Sequence, residues 1–435
     1  MNYVILSETR DLALILRYFA MLSMTKKDTM FSDYSAITGS HSPSPAKLQE
    51  RQQPLYKTTG DVRSEFDRDY TRILHSYGFR RLKHKTQVFF NAAGNDHICT
   101  RIEHVTHVES VAFTIAEKLG LNLELIKAIA IGHDIGHAPF GHHGETVISN
   151  LTGREFWHEQ NGLHFIDDIE LLPDLEGNLL NLNLTYAVRD GIISHCGELD
   201  EESLRPRSEL IDLKDFTYKG EFQAATWEGC VVKLSDKIAY LGRDIEDASM
   251  LNYFDEKQKA ELKDISEAIG NGKAVNTTSI IHRLITDLCA NSAPESGLRF
   301  SNDMFKLLCR IKDFNYQNIY KNQRLMPYQK YANLIITEIY NKLINLYKGS
   351  DTINHINNIH FDGKIFIKEF AEWLPKYCNQ DILSGSMKQA FSHCKNKKIY
   401  GTLSTPEIYQ QAVIDYIAGM TDVFAVKAFD ELLKC

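Results

Sequence analysis

Residues 133–145 read HDIGHAPFGHHGE, and their types and spacing could carry chemistry. Four of the thirteen are histidines and two are acids, while three glycines and a proline interrupt any regular element. A buried core segment does not have this composition. The segment therefore predicts a polar surface loop, a metal site or a catalytic centre.

A metal site is predicted from four side chains that lie far apart in the chain. His133 and Asp134 are adjacent, His104 precedes them on an apolar helix, and Asp236 lies within VVKLSDKIAYL. A carboxylate in so apolar a helix needs a partner or a metal ion. Two imidazoles and two carboxylates suit Mg²⁺, Mn²⁺, Fe or Zn²⁺, and they lack the thiolates of a structural zinc site. A six-coordinate ion would keep two positions for water and a substrate oxygen.

A second pair, His142 and Glu145, has the spacing of an acid–base couple. Residues three apart face the same way on a helix, so the carboxylate can orient the imidazole and raise its pKa. The neighbouring His143 is expected to carry no chemistry. His195, in ISHCGE, is left out of the predicted site because a core or supporting role is equally consistent with it.

Helices must position these side chains. In RIEHVTHVESVAFTIAEKLG (101–120) the apolar residues recur at spacings of three and four, and the segment 122–132 is apolar almost all round. The same helical pattern returns at 227–248, 331–347 and 411–433. QVFFN (87–91) is the best strand candidate, and 269–278 and 348–356 read as loops. We predict an all-α fold.

Composition bounds the class of protein. The chain has 435 residues and a net charge of −8. This charge does not support electrostatic binding of nucleic acid by the protein as a whole, although a local basic patch that binds single-stranded nucleic acid stays open. Its eight cysteines form no C-x-x-C pair and predict a reduced, cytoplasmic protein. No apolar run is long enough for a membrane span. DLALILRYFAML (11–22) is interpreted as an amphipathic helix, and 25–55 as a flexible, polar linker.

The ordered set His104, His133–Asp134 and Asp236 resembles the signature of the HD phosphohydrolase superfamily. Five blocks are similar to the deoxyguanosine-triphosphate triphosphohydrolase-like dNTPases: 65–89, 100–104, 133–145, 236–248 and 415–425. The resemblance covers most of the chain from about 56 onward, except about 250–310. It implies an HD helical bundle with added C-terminal helices, divided into an arm (1–55), a catalytic core (56–250) and a helical region that completes the pocket (251–435).

The resemblance also implies roles for individual residues. His142 and Glu145 match a catalytic pair, and His137 and His158 match histidines that line the phosphates. Phosphate- or sugar-binding residues are matched by Gln87, Arg101, Lys237, Tyr240 and Asp244. The family hydrolyses a dNTP to a deoxynucleoside and tripolyphosphate with a divalent ion, Mg²⁺ or Mn²⁺ first. Its members form homo-oligomers, and some are activated by a dNTP at a second site.

Two other functions stay open at this point. One is an HD phosphohydrolase for a monophosphate, a cyclic dinucleotide or an alarmone, since two-metal members need extra histidines such as His158 and His195 between the HD pair and the last aspartate. The other is a non-catalytic nucleotide- or nucleic-acid-sensing module, which the complete set of ligands and acid–base groups disfavours.

Overall fold

Helices dominate the computed structural model of this protein, which describes residues 31–39, 44–56, 59–90, 97–197, 203–269, 277–359 and 365–433. Eighteen α-helices lie within those ranges. They are α1 (Pro45–Leu48), α2 (Glu65–His75), α3 (Tyr77–Arg81), α4 (Arg101–Leu119), α5 (Leu123–Gly132), α6 (Gly141–Thr152), α7 (His158–His164), α8 (Tyr186–Ile193), α9 (Trp227–Met250), α10 (Glu256–Ile269), α11 (Thr277–Asn291), α12 (Asn302–Asn315), α13 (Met326–Ile344), α14 (Thr352–Asn358), α15 (Ile365–Trp373), α16 (Gly385–Ala390), α17 (Pro406–Ala418) and α18 (Asp422–Leu433). The all-α prediction is confirmed.

The sheet content of the described ranges is one small hairpin. Strands β1 (Leu171–Pro173) and β2 (Leu179–Asn181) pair antiparallel, with Leu172 opposite Leu180. The strand predicted at 87–91 is wrong for its described part, residues 87–90, which follow a single bridge between Thr86 and Thr100. Gln87 and Val88 border the cavity described below, and the consecutive apolar residues of this segment pack without a partner strand.

The helices predicted around the site form close to the expected bounds. Helix α4 begins with a capping box at Thr100 and Glu103 and ends at Gly120, whose φ of 74° is left-handed. Helix α9 is fully formed through the segment that contains Asp236. The segment 411–433 contains a break, because α17 ends at Ala418 and α18 starts at Asp422. The loop expected at 348–356 is partly wrong, since α14 begins at Thr352.

Two hydrophobic clusters form the interior. The first extends in sequence from Phe31 to Leu325 and includes the buried faces of α4, α5 and α9. The second joins residues of α6 to helices α13, α15, α17 and α18. The second cluster thus includes Ala138 and Phe140, which places the C-terminal helices against the end of the HDIGHAPFGHHGE segment. The domain boundaries at 55 and 250 stay a prediction.

The described part of the N-terminal arm is packed. Phe31 and Leu48 are fully buried, and Arg51 pairs with Glu65 and with Asp69 at 2.8 and 2.5 Å. The interpretation of 25–55 as a flexible linker is therefore wrong for these residues, because polar composition hid the few apolar anchors. The predicted helix at 11–22 and most of the predicted loop at 269–278 lie outside the described residues.

None of the helices in the described ranges combines the length and the apolar character that crossing a lipid bilayer requires. All seven cysteines within those ranges are free thiols, as their scattered spacing predicts.

Candidate active site

The predicted metal ligands converge where α4, α5 and α9 pack together. His104 Nε2 lies 2.9 Å from Asp236 Oδ1 and 3.8 Å from Asp134 Oδ2. His133 Nε2 lies 3.6 Å from Asp134 Oδ2 and 3.9 Å from Asp236 Oδ1. Burial acts to raise the pKa of Asp236, but the hydrogen bond and charge of His104 outweigh it and hold that pKa below its usual range. The group is therefore ionised and able to ligate a cation.

The donor atoms fit a divalent cation. His133 Nδ1 donates to the Ala130 carbonyl at 2.6 Å, which leaves the lone pair of Nε2 directed at the two carboxylates. Nε2 is buried and has no hydrogen-bond partner. Such an orphaned acceptor is costly unless an ion completes it. His104, His133 and Asp134 also satisfy the spacing of a metal-binding group.

Arg101 holds one ligand in place. Its Nη1 donates to Asp134 Oδ2 at 2.7 Å, while its other nitrogens donate to the carbonyls of Thr86 and Gln87 at 3.2 and 3.3 Å. The side chain is 2 % exposed. Although Arg101 borders the cavity, the guanidinium is largely occupied in bracing Asp134 and the 86–87 backbone.

A histidine–carboxylate cluster lies beside the metal ligands. His137 Nε2 is 3.0 Å from Asp134 Oδ1, and its Nδ1 is 2.7 Å from Glu145 Oε1. Its ring stacks on that of His158, with centroids 3.7 Å apart, and His158 Nδ1 lies 3.1 Å from the same Glu145 oxygen. Burial, reinforced by the Arg101 charge, lowers the pKa of His137 to about 3. His137 is thus a neutral bridge between the metal ligands and Glu145.

His142 differs from the other histidines because it faces open space. Its side chain is 73 % exposed, and its Nδ1 lies 3.4 Å from Glu145 Oε2. Burial acts to raise the pKa of Glu145, but the neighbouring imidazoles of His158 and His142 outweigh it and hold that pKa well below its usual range. Glu145 can therefore accept hydrogen bonds from His158 and His142, and it can orient His142, the accessible ring of the two.

Two glycines permit this arrangement. A Cβ on Gly136 would lie 2.1 Å from the His158 carbonyl, so a side chain there would push α7 and its histidine away from His137. A Cβ on Gly144 would lie 1.9 Å from the carbonyl of Pro139, which crosses the start of α6. Gly136 and Gly144 thus allow the close backbone contacts that bring the two ends of the 133–145 segment together.

A cavity of about 600 Å³ opens over these groups. Of the thirteen predicted site residues, twelve border it: Gln87, Arg101, His104, Asp134, His137, His142, Glu145, His158, Asp236, Lys237, Tyr240 and Asp244. His133 lies beneath the others and is fully buried. The volume is that of a small-molecule site.

The sequence reasoning missed several residues of the cavity. His195 and Cys196 border it between α8 and α9, and Tyr320 and Tyr328 enter from beyond residue 250. Tyr320 donates its hydroxyl to Asp244 Oδ2, and burial raises the pKa of Asp244 to about 7. A histidine followed by a cysteine was a usable signal, whereas no motif marked the tyrosines. His143, expected to carry no chemistry, also borders the cavity, with Nε2 2.8 Å from the Gln329 carbonyl.

Asp422, at the start of α18, connects two segments of the site. One carboxylate oxygen accepts from the Thr86 amide, and the other accepts from the Phe140 amide, each at 2.8 Å. Phe140 has a left-handed φ of 66° just before α6 begins. Lys85 donates to the carbonyls of His137 and Ala418. The C-terminal helices thus fix both the Gln87 segment and the His137 segment.

Comparison with known proteins agrees with this geometry. The HD domain model matches residues 101–241, and the phosphohydrolase-associated domain model matches 397–431. A deoxyguanosinetriphosphate triphosphohydrolase-like protein of Caldanaerobacter subterraneus is 30 % identical over 90 % of this chain and 91 % of its own length. This chain belongs to the HD-domain, dGTPase-like family. The like-named protein of Rickettsia typhi is 31 % identical over 91 % of this chain and 98 % of its own length, and that of Clostridium tetani is 36 % identical over 65 % and 73 %.

The two family segments contain helices that position the candidate site. The HD segment contains α4, α5 and the first part of α9, which includes Asp236. The phosphohydrolase-associated segment contains α17 and most of α18, which includes Asp422. Family membership supports a phosphohydrolase, and the His/Asp/Glu cluster suits a divalent metal ion.

Proposed function

We propose that this HD-domain protein hydrolyses deoxynucleoside triphosphates to a deoxynucleoside and tripolyphosphate. The observation that carries the proposal is the adjacency of an accessible imidazole, His142, to a four-residue metal site within one cavity, with Glu145 and His137 connecting them. The names of the relatives, which specify deoxyguanosine triphosphate, support the substrate class.

The site suits attack of water at the α-phosphorus. A divalent cation held by His104, His133, Asp134 and Asp236 would supply Lewis-acid chemistry at a phosphate ester. The new P–O bond forms to water, and the bond from the α-phosphorus to the 5′-oxygen breaks. The leaving alkoxide is a poor leaving group, so it needs a proton.

His142 is placed to give that proton. Its Nδ1 faces Glu145 Oε2, so Nε2 is the nitrogen free to serve the 5′-oxygen. Glu145 stays ionised because the nearby imidazoles of His158 and His142 hold its pKa well below its usual range, and its carboxylate orients the His142 ring. His158 and His137 support Glu145 from its buried side.

Other cavity residues suit the remainder of the nucleotide. Lys237 Nζ donates to the Gly197 carbonyl at 2.6 Å at the rim, and the exposed Lys219 borders the same region, so the two cations can meet a triphosphate. Tyr240 lies one turn beyond Asp236 on α9. A ring at that position beneath the sugar excludes a 2′-hydroxyl sterically, which accounts for a deoxy preference.

The test is a product analysis in ¹⁸O-water with metal-free protein restored with Mg²⁺ or Mn²⁺. Each dNTP, a deoxynucleoside monophosphate, a cyclic dinucleotide and a guanosine tetraphosphate are incubated separately and resolved by anion-exchange chromatography. We expect deoxynucleoside and tripolyphosphate from at least one dNTP, with the label in tripolyphosphate. Release of orthophosphate or of a monophosphate from dNTPs, or turnover of the other nucleotides alone, would refute the proposal.

Assays with a second dNTP, and light scattering in its presence, test two further inferences from family membership. These are activation by a dNTP at a separate site and assembly into a homo-oligomer. A cytoplasmic location and the choice between Mg²⁺, Mn²⁺, Fe and Zn²⁺ are likewise predictions.

A further inference from the structure

A second cavity, of about 410 Å³, shares none of its bordering residues with the cavity of the HD site. Its walls come from residues 52–56 of the N-terminal arm, from the β1–β2 hairpin, from Arg72 of α2 and from Lys395 and Lys397. We call it the arm cavity. Its volume lies within the range of small-molecule sites.

The arm is held at the edge of this cavity by paired amides. Gln53 N donates to Asn183 Oδ1 at 3.1 Å, and Asn183 Nδ2 donates to the Gln53 carbonyl at 2.7 Å. Gln52 Nε2 donates to Asp167 Oδ2 at 2.8 Å, and Gln52 Oε1 accepts from Lys397 Nζ at 2.7 Å. These bonds fix the arm wall before any ligand binds.

Arg72 brings a positive charge to the cavity without a carboxylate partner among the described residues. Its Nε donates to the Leu182 carbonyl at 2.6 Å, and its Nη2 donates to the Asn181 carbonyl at 3.3 Å. These two bonds leave Nη1 free to bind an acceptor. Two neutral carbonyls satisfy part of the guanidinium but do not neutralise its charge.

The arginines nearby differ from Arg72 in this respect. Arg51, Arg68 and Arg189 each form an ion pair with a carboxylate. Burial, followed by the charge of Arg51, lowers the pKa of Arg72 to about 10. The Arg72 guanidinium is therefore still charged at neutral pH, and an anion in the cavity would stabilise it.

The acids of the cavity wall do not supply that anion. Asp167 accepts from Arg189 Nε at 2.7 Å and from the amide of Gln52. Asp174 Oδ1 accepts from two backbone amides of its own turn at 2.9 and 2.8 Å. The third acid of the wall, Glu176, is exposed. Two of the three acids are thus engaged, while donors of the cations stay free.

The charges of the wall favour a ligand with one negative charge. Lys397 pairs with Asp168 at 2.9 Å, whereas the exposed Lys395 has no side-chain partner in the part of the chain that the structure describes. Arg72 and Lys395 can meet one anion, but the three acids would repel a triphosphate, which brings several charges. A planar carboxylate matches the guanidinium. Apolar side chains also border the cavity, namely those of Pro54, Leu55, Leu175 and Leu180.

We propose that the arm cavity binds a small organic monocarboxylate with an apolar body. The carboxylate pairs with Arg72 at the cavity wall, Lys395 adds attraction at the surface, and the apolar body packs against the proline and leucine side chains. The site uses none of the HD residues, so it does not depend on the reaction proposed above.

The test measures binding of benzoate to full-length protein by saturation-transfer NMR, with benzamide as the matched neutral probe. We expect saturable binding of benzoate and at least about tenfold weaker binding of benzamide, because a charged acceptor strengthens the hydrogen bonds of Arg72. Arg72→Gln should weaken benzoate binding by a similar factor, and Lys395→Gln should weaken it less. Lys388→Gln, at an exposed lysine outside the cavity, should bind as the wild type does.

His104→Ala locates the bound probe, because benzoate at the HD site would be lost in this variant and benzoate in the arm cavity would not. Hydrogen exchange at residues 52–56 should slow in the presence of benzoate. Circular dichroism checks the fold of Arg72→Gln, and Lys395→Gln keeps the test valid if that variant does not fold, since Lys395 is exposed.

Three results would overturn the proposal. One is the absence of saturable benzoate binding in the millimolar range, which a probe of this size can reach. Another is equal binding of benzoate and benzamide, or benzoate binding that neither Arg72→Gln nor Lys395→Gln weakens. The third is displacement of benzoate by dGTP in His104→Ala, which would assign the cavity to nucleotides.

Discussion

His104 Nε2 lies 2.9 Å from Asp236 Oδ1, although 132 positions separate the two residues in the chain. The contact joins α4 to α9, and with His133 and Asp134 it encloses the predicted metal position. Substitution of His104 therefore tests that position directly, because it removes one candidate ligand and its hydrogen bond to Asp236.

His104→Ala should abolish binding of Mn²⁺ at the HD site, because a ligand is lost and no neighbour can replace its Nε2. Titration calorimetry of chelator-stripped protein with Mn²⁺ measures the affinity. His107→Ala is the matched control, since His107 lies one turn away on α4 and does not border the cavity. Equal Mn²⁺ affinity in both variants would place the ion elsewhere.

His142→Ala should lower kcat by about 10²–10⁴-fold, the usual contribution of a positioned general acid, with little change in bound metal. The side chain is exposed, so its removal leaves no buried group unsatisfied. Thr146→Ala, also exposed on α6, serves as control. Single-turnover assays on the best dNTP measure the effect, and a near-normal rate in His142→Ala would exclude this residue as the acid.

Arg101→Ala should destabilise the protein by about 3–5 kcal/mol, because Asp134 would remain buried without its ion-pair partner. Urea unfolding followed by circular dichroism gives the free energy of unfolding, measured without metal. Arg63→Ala removes a pair with Asp61 at the surface and should leave the free energy of unfolding almost unchanged. Similar losses in the two variants would show that the Arg101 pair has no special structural role.

Asp422→Ala should reduce turnover although the residue does not border the cavity, because it releases the amides of Thr86 and Phe140 together. The expected signature is a lower kcat for dNTP with altered hydrogen exchange at both segments. Asp422→Asn, which retains one acceptor oxygen, should lose less. Unchanged exchange at residues 86 and 140 in Asp422→Ala would contradict this positioning role.

The ion group of His164 predicts a pH dependence of stability. Its Nε2 lies 2.9 Å from Asp415, and its Nδ1 lies 3.1 Å from Asp168. Burial opposes the charged form, but Asp415 and Asp168 outweigh it and raise the pKa of His164 to about 10. Because the pKa of His164 is higher in the folded protein than its unfolded value of about 6.5, the protonated ring stabilises the folded state fully below that value. This stabilisation is lost as the pH rises towards 10.

Wild type should therefore lose its stability advantage over His164→Gln between about pH 6.5 and 10. Urea unfolding at several pH values across this range measures the difference in free energy of unfolding. A constant difference across the range would show that His164 is not charged in the folded protein.

The helical fold and the candidate metal ligands were both predicted from local features of the sequence, and the structure brings the four candidate ligands together. Apolar residues at spacings of three and four predict α4. Asp236 is a carboxylate within the apolar α9, so the sequence already indicates that it needs a partner or a metal ion. The strand predicted at 87–91 is wrong for residues 87–90, because a short apolar run does not specify whether a partner strand exists. The prediction of a flexible linker at 25–55 is wrong around Phe31 and Leu48, because these single apolar residues are buried and hold the surrounding polar segment against the core.

The amino-acid sequence by itself determined the residue types of the site, since imidazoles and carboxylates in that order already restrict the ions and reactions available. Only the tertiary structure decided which of these groups contact one another and which face the cavity. Arg101 turns towards Asp134, Asp422 ties two distant segments, and His195 faces His158. These contacts depend on how helices pack across the chain, and no periodicity along the sequence encodes which lone pair meets which partner.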